Sequence, residues 1–291
     1  MNIGFIGLGA MGGPMASNLL QISNKVYVYD TQREAAAALE EKGAVYCSTL
    51  KTLAQHCDYI LTSLPNGSIV ESVMTGEEGI FSSCAAQTTI IDLSSVAPST
   101  SQKLAKLAQH YQLFYLDAPV SGGVAGAKSG TLTFMIGGNK TVYENARPIF
   151  DCLGKTCFHV GDVGAGDAMK IINNLLLGCN MAALSEAFTL GKKCGLDPQM
   201  MYDIIKVSSG RSYALEAKTE KFILADQYEG GFSINLQHKD LNLALEAAKD
   251  TTTPVPMTSS ATQIYEVAKT MEYGTSDISA LVKVWSDINQ L

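Results

Sequence analysis

The chain has 291 residues, 46% of them hydrophobic and 17% charged, with a formal net charge of −7 at pH 7. That length and apolar content allow one large domain or two ordinary ones around a sizeable core, and exclude a disordered chain. The acidic balance, with no run of Lys or Arg, argues against nucleic acid or an anionic membrane as a partner.

The N-terminus passes directly into a strand at Ile3–Ile6, without a basic leader, so no signal peptide is expected. Gly7-Leu8-Gly9-Ala10-Met11-Gly12 follows at once and opens a helix over Met11–Gln21. This G-x-G-x-x-G, placed between strand and helix, is the setting in which a dinucleotide pyrophosphate binds. The first glycine makes the tight turn, the second admits the phosphates, and the third lets helix and strand pack closely. A second strand, Val26–Tyr29, ends at Asp30, 23 residues after Gly7. A carboxylate there bonds both ribose hydroxyls and repels a 2′-phosphate, which favours NAD. Arg33 is close enough to leave NADP open as the alternative.

An Ala-rich helix at Arg33–Glu41 comes next, then strands at Tyr59–Leu64, Thr89–Leu93, Leu113–Leu116, Leu132–Ile136 and Cys157–Val160. Such alternation predicts a doubly wound, mostly parallel α/β sheet of the Rossmann type. Ligands of these sheets sit at the carboxyl ends of the strands. Ser63-Leu64-Pro65-Asn66 and Ser94-Ser95-Val96 are therefore candidates for lining the cofactor, with ordinary strand-exit loops as the alternative. Ser121-Gly122-Gly123, after the strand ending at Leu116-Asp117, offers a hydroxyl and open backbone N–H groups for an anion.

From about Gly164 the pattern is helical only, with segments at 166–193, 197–208, 212–225, 235–249, 256–272 and 277–289. Asp197-Pro198 reads as an N-cap and first-turn pair. The long 166–193 segment is apolar but interrupted by Asn173, Asn174, Gly178 and Asn180, and reads as a buried helix rather than a membrane span. The expected domains are 1–163, binding NAD(P), and 164–291, an all-α domain for substrate and oligomerisation. Seven scattered cysteines without a C-x-x-C, and four histidines that form no cluster with them, predict neither a metal site nor a disulfide framework. They fit a reducing, cytoplasmic setting.

Lys170 lies among Ala168, Met169, Ile171 and Ile172. Partial desolvation there is expected to lower its pKa and suit it to proton transfer, although a lysine at a helix start can also simply snorkel. Asn174, four residues on, shares its helix face.

Four blocks together resemble the β-hydroxyacid dehydrogenases, the 3-hydroxyisobutyrate dehydrogenase family. GFIGLGAMGGPMASNL is similar to that family's cofactor motif. DAPVSGGVAGAKSGTL (117–132) is similar to its substrate motif, GAGDAMKIINN (164–174) to its catalytic motif and LQHKDLNLAL (236–245) to its C-terminal motif. The resemblance implies an NAD-dependent interconversion of a small anionic hydroxy acid and its semialdehyde. The expected substrate is of the 2-(hydroxymethyl)glutarate or 3-hydroxyisobutyrate type. The alternatives are a reductase of tartronate or succinic semialdehyde and a non-catalytic nucleotide-binding relative.

The resemblance also implies roles. Lys170 becomes the acid/base, with Asn174 as partner and Asn173 as the neighbouring candidate. Ser121, Gly122 and Gly123 become the carboxylate site. Lys239 reaches cofactor and substrate, Asp240 pairs with Lys239 or Lys170, and Phe232 walls the pocket. Arg211 is either a second cation for a dicarboxylate substrate or a surface residue. His238 is expected to be structural or solvated. A homodimer or homotetramer is expected.

Overall fold

The alternating apolar segments of the first half form strands, and two short strands join them to make nine. They are β1 (Asn2–Ile6), β2 (Lys25–Tyr29), β3 (Val45–Tyr46), β4 (Tyr59–Thr62), β5 (Thr89–Asp92), β6 (Phe114–Asp117), β7 (Val120–Ser121), β8 (Leu132–Gly137) and β9 (Gly154–Gly161) in a computed structural model describing residues 1–290. They make one sheet in the order β3-β2-β1-β4-β5-β6-β8-β7, with β9 on β8. Every pairing from β3 to β6 is parallel. β8 then runs antiparallel to β6 and β7, and β9 parallel to β8.

This is the doubly wound Rossmann architecture read from the sequence. The direction of winding reverses between β1 and β4, so the carboxyl ends of these two strands flank the ligand crevice typical of such sheets. Ile3, Phe5, Ile60, Leu61, Ile90 and Ile91 are fully buried. Side chains on both faces of these strands are covered, which is why the strands appear as continuous apolar runs without alternation. β3 and β7, two residues each, are too short for any periodic signal and go unseen in the sequence.

The chain divides into two compact units, Met1–Lys170 and Ile171–Leu291. The division falls inside the long helix Ala165–Lys193. The other helices of the second unit are Pro198–Ile205, Tyr213–Lys218 with a π turn over Thr219–Ile223, Ile234–Asp250, Pro256–Thr270 and, after a 3-10 turn at Ile278–Ala280, Leu281–Asn289. The expected cap is present, with Asp197 accepting the Met200 N–H ahead of Pro198. Among the described residues this unit holds no strand, only an isolated bridge between Ser233 and Asp277.

Its core gathers Met181 and Phe188 of the long helix with Leu241, Tyr265 and Leu281. The long helix has the length and composition to cross a membrane, yet these residues sit in the core of the fold. A buried ion pair closes one side of this unit. Lys218 Nζ lies 2.6 Å from Asp277 Oδ2, with side-chain exposures of 10% and 0%.

Candidate cofactor and substrate site

The glycine turn is shaped by contacts that only glycine permits. Gly7 has φ +91°. A Cβ on Gly12 would lie 1.9 Å from the Gly7 carbonyl oxygen, so helix Gly12–Leu19 starts hard against the turn. Gly9 differs, because a Cβ there would meet nothing within 4 Å. Its lack of a side chain serves no packing need inside the protein. It leaves room for an approaching ligand, and the helix start beside it has no side-chain cap.

Asp30 reaches back to this turn. Its Oδ2 accepts the Leu8 N–H at 2.7 Å and its Oδ1 the Gln32 N–H at 2.8 Å. Arg33 turns to Glu40 at 2.6 Å, with its guanidinium 4.2 Å from the centre of the Tyr46 ring. The two candidate loops are tied together by Leu64 N–H donating to Ser94 Oγ at 2.9 Å. Asn66 caps helix Gly67–Thr75 by accepting the Ile69 N–H at 3.0 Å. Ser121 ends β7 opposite Thr133, and Gly122 and Gly123 follow at φ +135° and +62°.

Lys170 is half-buried near the start of the long helix, and Asn174, one turn on, is buried. Asn174 is the centre of a polar cluster in the second unit. Its Nδ2 donates to Asp240 Oδ2, and its Oδ1 accepts from Asn173 Nδ2 at 2.9 Å. Lys239 Nζ lies 3.0 Å from Asp240 Oδ1. Asp240 thus pairs with Lys239, one of the two options read from the sequence. Gln237, fully buried, donates from Nε2 to the Asn174 carbonyl at 2.8 Å and packs where Gly178 leaves no side chain in its way.

Phe232 is half-buried, its N–H held by Asp277 Oδ2 at 2.9 Å. Arg211 is exposed on the turn before helix Tyr213–Lys218. His238 pairs with Glu266 at 2.5 Å. Burial and the nearby Lys269 lower its pKa against the pull of Glu266.

The family described as the NAD binding domain of 6-phosphogluconate dehydrogenase matches residues 2–161. The NAD-binding family of NADP-dependent 3-hydroxyisobutyrate dehydrogenase matches residues 164–285. A 2-(hydroxymethyl)glutarate dehydrogenase of Eubacterium barkeri is 54% identical over 99% of this chain and 96% of its own. A 3-hydroxyisobutyrate dehydrogenase of Pseudomonas aeruginosa is 38% identical, covering 98% of each chain. Among solved structures, a 3-hydroxyisobutyrate dehydrogenase of Mycobacterium tuberculosis with L-serine superposes with a TM-score of 0.90 at 32% identity, covering 97% of this chain and 98% of its own.

The chain belongs to the 3-hydroxyisobutyrate dehydrogenase family. This dehydrogenase is an NAD(P)-dependent oxidoreductase acting on the CH–OH group of a hydroxyacid. The open Gly9 and the carboxylate at Asp30 suit such a cofactor.

Sequence reasoning passed over four buried polar residues of this dehydrogenase. Asp92 and Asp117 each end an apolar strand, β5 and β6, at the ligand end of the sheet. A lone acid closing an apolar run there was the signal available. Gln237 and Asp167 lie in helices where nothing in the local pattern marks them.

Proposed function

We propose that this enzyme interconverts 2-(hydroxymethyl)glutarate, or a close β-hydroxy acid such as 3-hydroxyisobutyrate, and its semialdehyde, with NAD as preferred cofactor. The identity of 54% across 99% of the chain to an enzyme of that name carries the substrate reading. The cofactor preference rests on the carboxylate of Asp30 just after β2, which disfavours a 2′-phosphate nearby, while Arg33 is engaged by Glu40.

Residues 1–163 hold the cofactor and 164–291 serve substrate and assembly. A bound nicotinamide cofactor would supply the acceptor for the hydride of the carbinol carbon. Ala10 and Met11 would offer backbone N–H groups beside Gly7, Gly9 and Gly12 for the pyrophosphate, with Leu8 holding the turn in shape through its bond to Asp30. Leu64, Pro65, Asn66 and Ser95 would hold the ribose and nicotinamide, with Lys239 and Asp240 assisting. Lys170 takes the hydroxyl proton in oxidation and returns it in reduction. Asn174, fixed by Asp240, Asn173 and Gln237, orients that proton transfer. Ser121, Gly122 and Gly123 receive the first carboxylate, Phe232 walls the pocket, and the exposed Arg211 reads a second carboxylate.

An apolar stripe of Leu196, Met200, Ile204 and Val207 is exposed on and beside helix Pro198–Ile205, which supports assembly with a second copy as a homodimer or homotetramer. Seven free cysteines support a cytoplasmic setting.

The test is a panel of 2-(hydroxymethyl)glutarate, 3-hydroxyisobutyrate, glycerate, 3-hydroxypropionate and 4-hydroxybutyrate, each with NAD and NADP. The highest kcat/KM is expected for the first with NAD. Lys170→Ala should abolish turnover while NADH binding, read by its fluorescence, survives. Strong NADP preference overturns the reading of Asp30, and undiminished turnover in Lys170→Ala overturns the mechanism.

A further inference from the structure

Three buried acids join the carboxyl ends of β5 and β6 to the first turn of the long helix, and the proton chemistry proposed above leaves them unused. Asp92 Oδ1 accepts from Thr62 Oγ1 at 2.8 Å and from the Ser94 N–H at 3.0 Å, and its Oδ2 from the Tyr115 hydroxyl at 3.3 Å. It clamps the ends of β4, β5 and β6. Asp117 does the capping of the long helix, accepting the Gly164 N–H at 2.8 Å and the Asp167 N–H at 3.0 Å.

Asp167 is therefore released from the usual duty of an acid at a helix start. Its Oδ2 accepts from Ser101 Oγ at 2.6 Å, and its Oδ1 is buried without a hydrogen-bond partner. Ser101 sits in the first turn of helix Pro98–His110, directly after the Ser94–Val96 loop. Asp167 and Ser101 are 1% and 0% exposed. Lys170 follows Asp167 by three residues, one helical turn.

We infer that Asp167 is a positioning residue for Lys170, a buried carboxyl group that latches the lysine-bearing turn to Ser101 and so to the loop after β5. The inference rests on the reading of Lys170 as the acid/base. A misplacement of about 1 Å in such a group can cost about 10²-fold in rate, which gives a rigid latch its value. The burial of Asp167 and its closeness to Asp117 favour the protonated form of the acid. Burial, and next the charge of Asp117, push its carboxyl well above the usual carboxylate range, against the Ser101 hydroxyl and the Val96 N–H that pull it down. The titratable groups facing it are Asp117 and Tyr115 of β6 and Asp92 of β5. An ionised carboxylate with one orphaned oxygen beside Asp117 would carry a desolvation cost that the protonated acid avoids.

The experiment compares Asp167→Ala, Asp167→Asn, Ser101→Ala and Lys170→Ala in the full-length enzyme by kcat, KM, NADH Kd and the pH profile of kcat. Asp167→Ala should lower kcat by about 10²-fold, with NADH Kd unchanged. Asp167→Asn, whose amide oxygen still accepts from Ser101 without charge, should rescue kcat and leave the pH profile superimposable on the parent's. Should Asp167→Ala fail to fold, Ser101→Ala removes the same hydrogen bond, and a smaller loss in kcat alone is expected. Parental kcat in Asp167→Ala or Ser101→Ala, or a displaced pH profile in Asp167→Asn, overturns the inference. If Lys170→Ala keeps its turnover, the acid/base reading falls. If only Lys170→Ala is inactive, the role of Asp167 falls alone.

Discussion

The ion pair between Lys218 and Asp277 is a point where one substitution should be felt in both stability and substrate handling. Asp277 has no exposed side-chain surface, and four donors converge on it. Oδ2 receives Lys218 Nζ at 2.6 Å and the Phe232 N–H at 2.9 Å, while Oδ1 receives the N–H and hydroxyl of Ser279 at 3.0 and 2.7 Å. Lys218→Met keeps most of the side-chain volume and its place near the Phe222 ring, but removes the only full positive charge among those donors.

Breaking a buried pair from one side costs about 3–5 kcal/mol, because the partner charge stays buried. Three remaining hydrogen bonds place this case at the lower end, about 3 kcal/mol. For a unit of this size that is a fall in Tm of roughly 10 °C. Lys218→Met with Asp277→Asn removes both charges and should recover about 1–2 kcal/mol of the loss. Urea denaturation of the parent, both single variants and the double variant closes the cycle. Loosening the Phe232 backbone should also raise the KM for the hydroxyacid more than it lowers kcat. A loss below about 0.5 kcal/mol in Lys218→Met, the range of an ordinary surface change, or strict additivity in the double variant would refute the reasoning.

The two glycines of the turn should separate fold from ligand. Gly9→Ala should leave Tm unchanged, since its Cβ meets nothing, yet raise the NADH Kd by at least about tenfold, or 1.4 kcal/mol. Gly12→Ala should cost about 3 kcal/mol or more of stability, because its Cβ would collide with the Gly7 carbonyl; equal effects from both variants would contradict this division. Asp167 carries a pH signature. Its folded pKa is raised above the ordinary 3.8, so its contribution to stability is full below about pH 4 and is lost as pH rises through the folded value. Asp167→Asn should therefore match the parent near pH 4 and gain on it at higher pH, by up to about 1.4 kcal/mol per unit; a difference independent of pH would count against a raised pKa. Asp30→Asn should narrow the preference for NAD over NADP in kcat/KM, and an unaltered ratio would remove Asp30 from cofactor choice.

What could be read in advance follows from the range of each interaction. The strands of four or more residues, the cap at Asp197 and the shared face of Lys170 and Asn174 are set by neighbours within a few residues. The acid at Asp30 was visible because it closes an apolar strand at a fixed distance from Gly7. β3 and β7 were not visible, since two residues carry no period. The bond from Asn174 to Asp240 spans 66 positions in the chain, and no local rule announces it. The same holds for Asp167 and Ser101, also 66 apart. A buried acid in a helix resembles a solvated one until the packing around it is known.

The double engagement of Asp30 has a consequence for redesign. A carboxylate that only repelled a 2′-phosphate could be exchanged for a small neutral residue to admit NADP. Here the same carboxylate holds the Leu8 N–H inside the glycine turn and the Gln32 N–H beyond β2. Trimming it to Ala would leave both donors unpaired and loosen the cradle for either dinucleotide. Freeing Arg33 from Glu40 would not repair that loss. A switch of cofactor in this scaffold therefore begins with a neutral acceptor at position 30, and only then with a cation beside it.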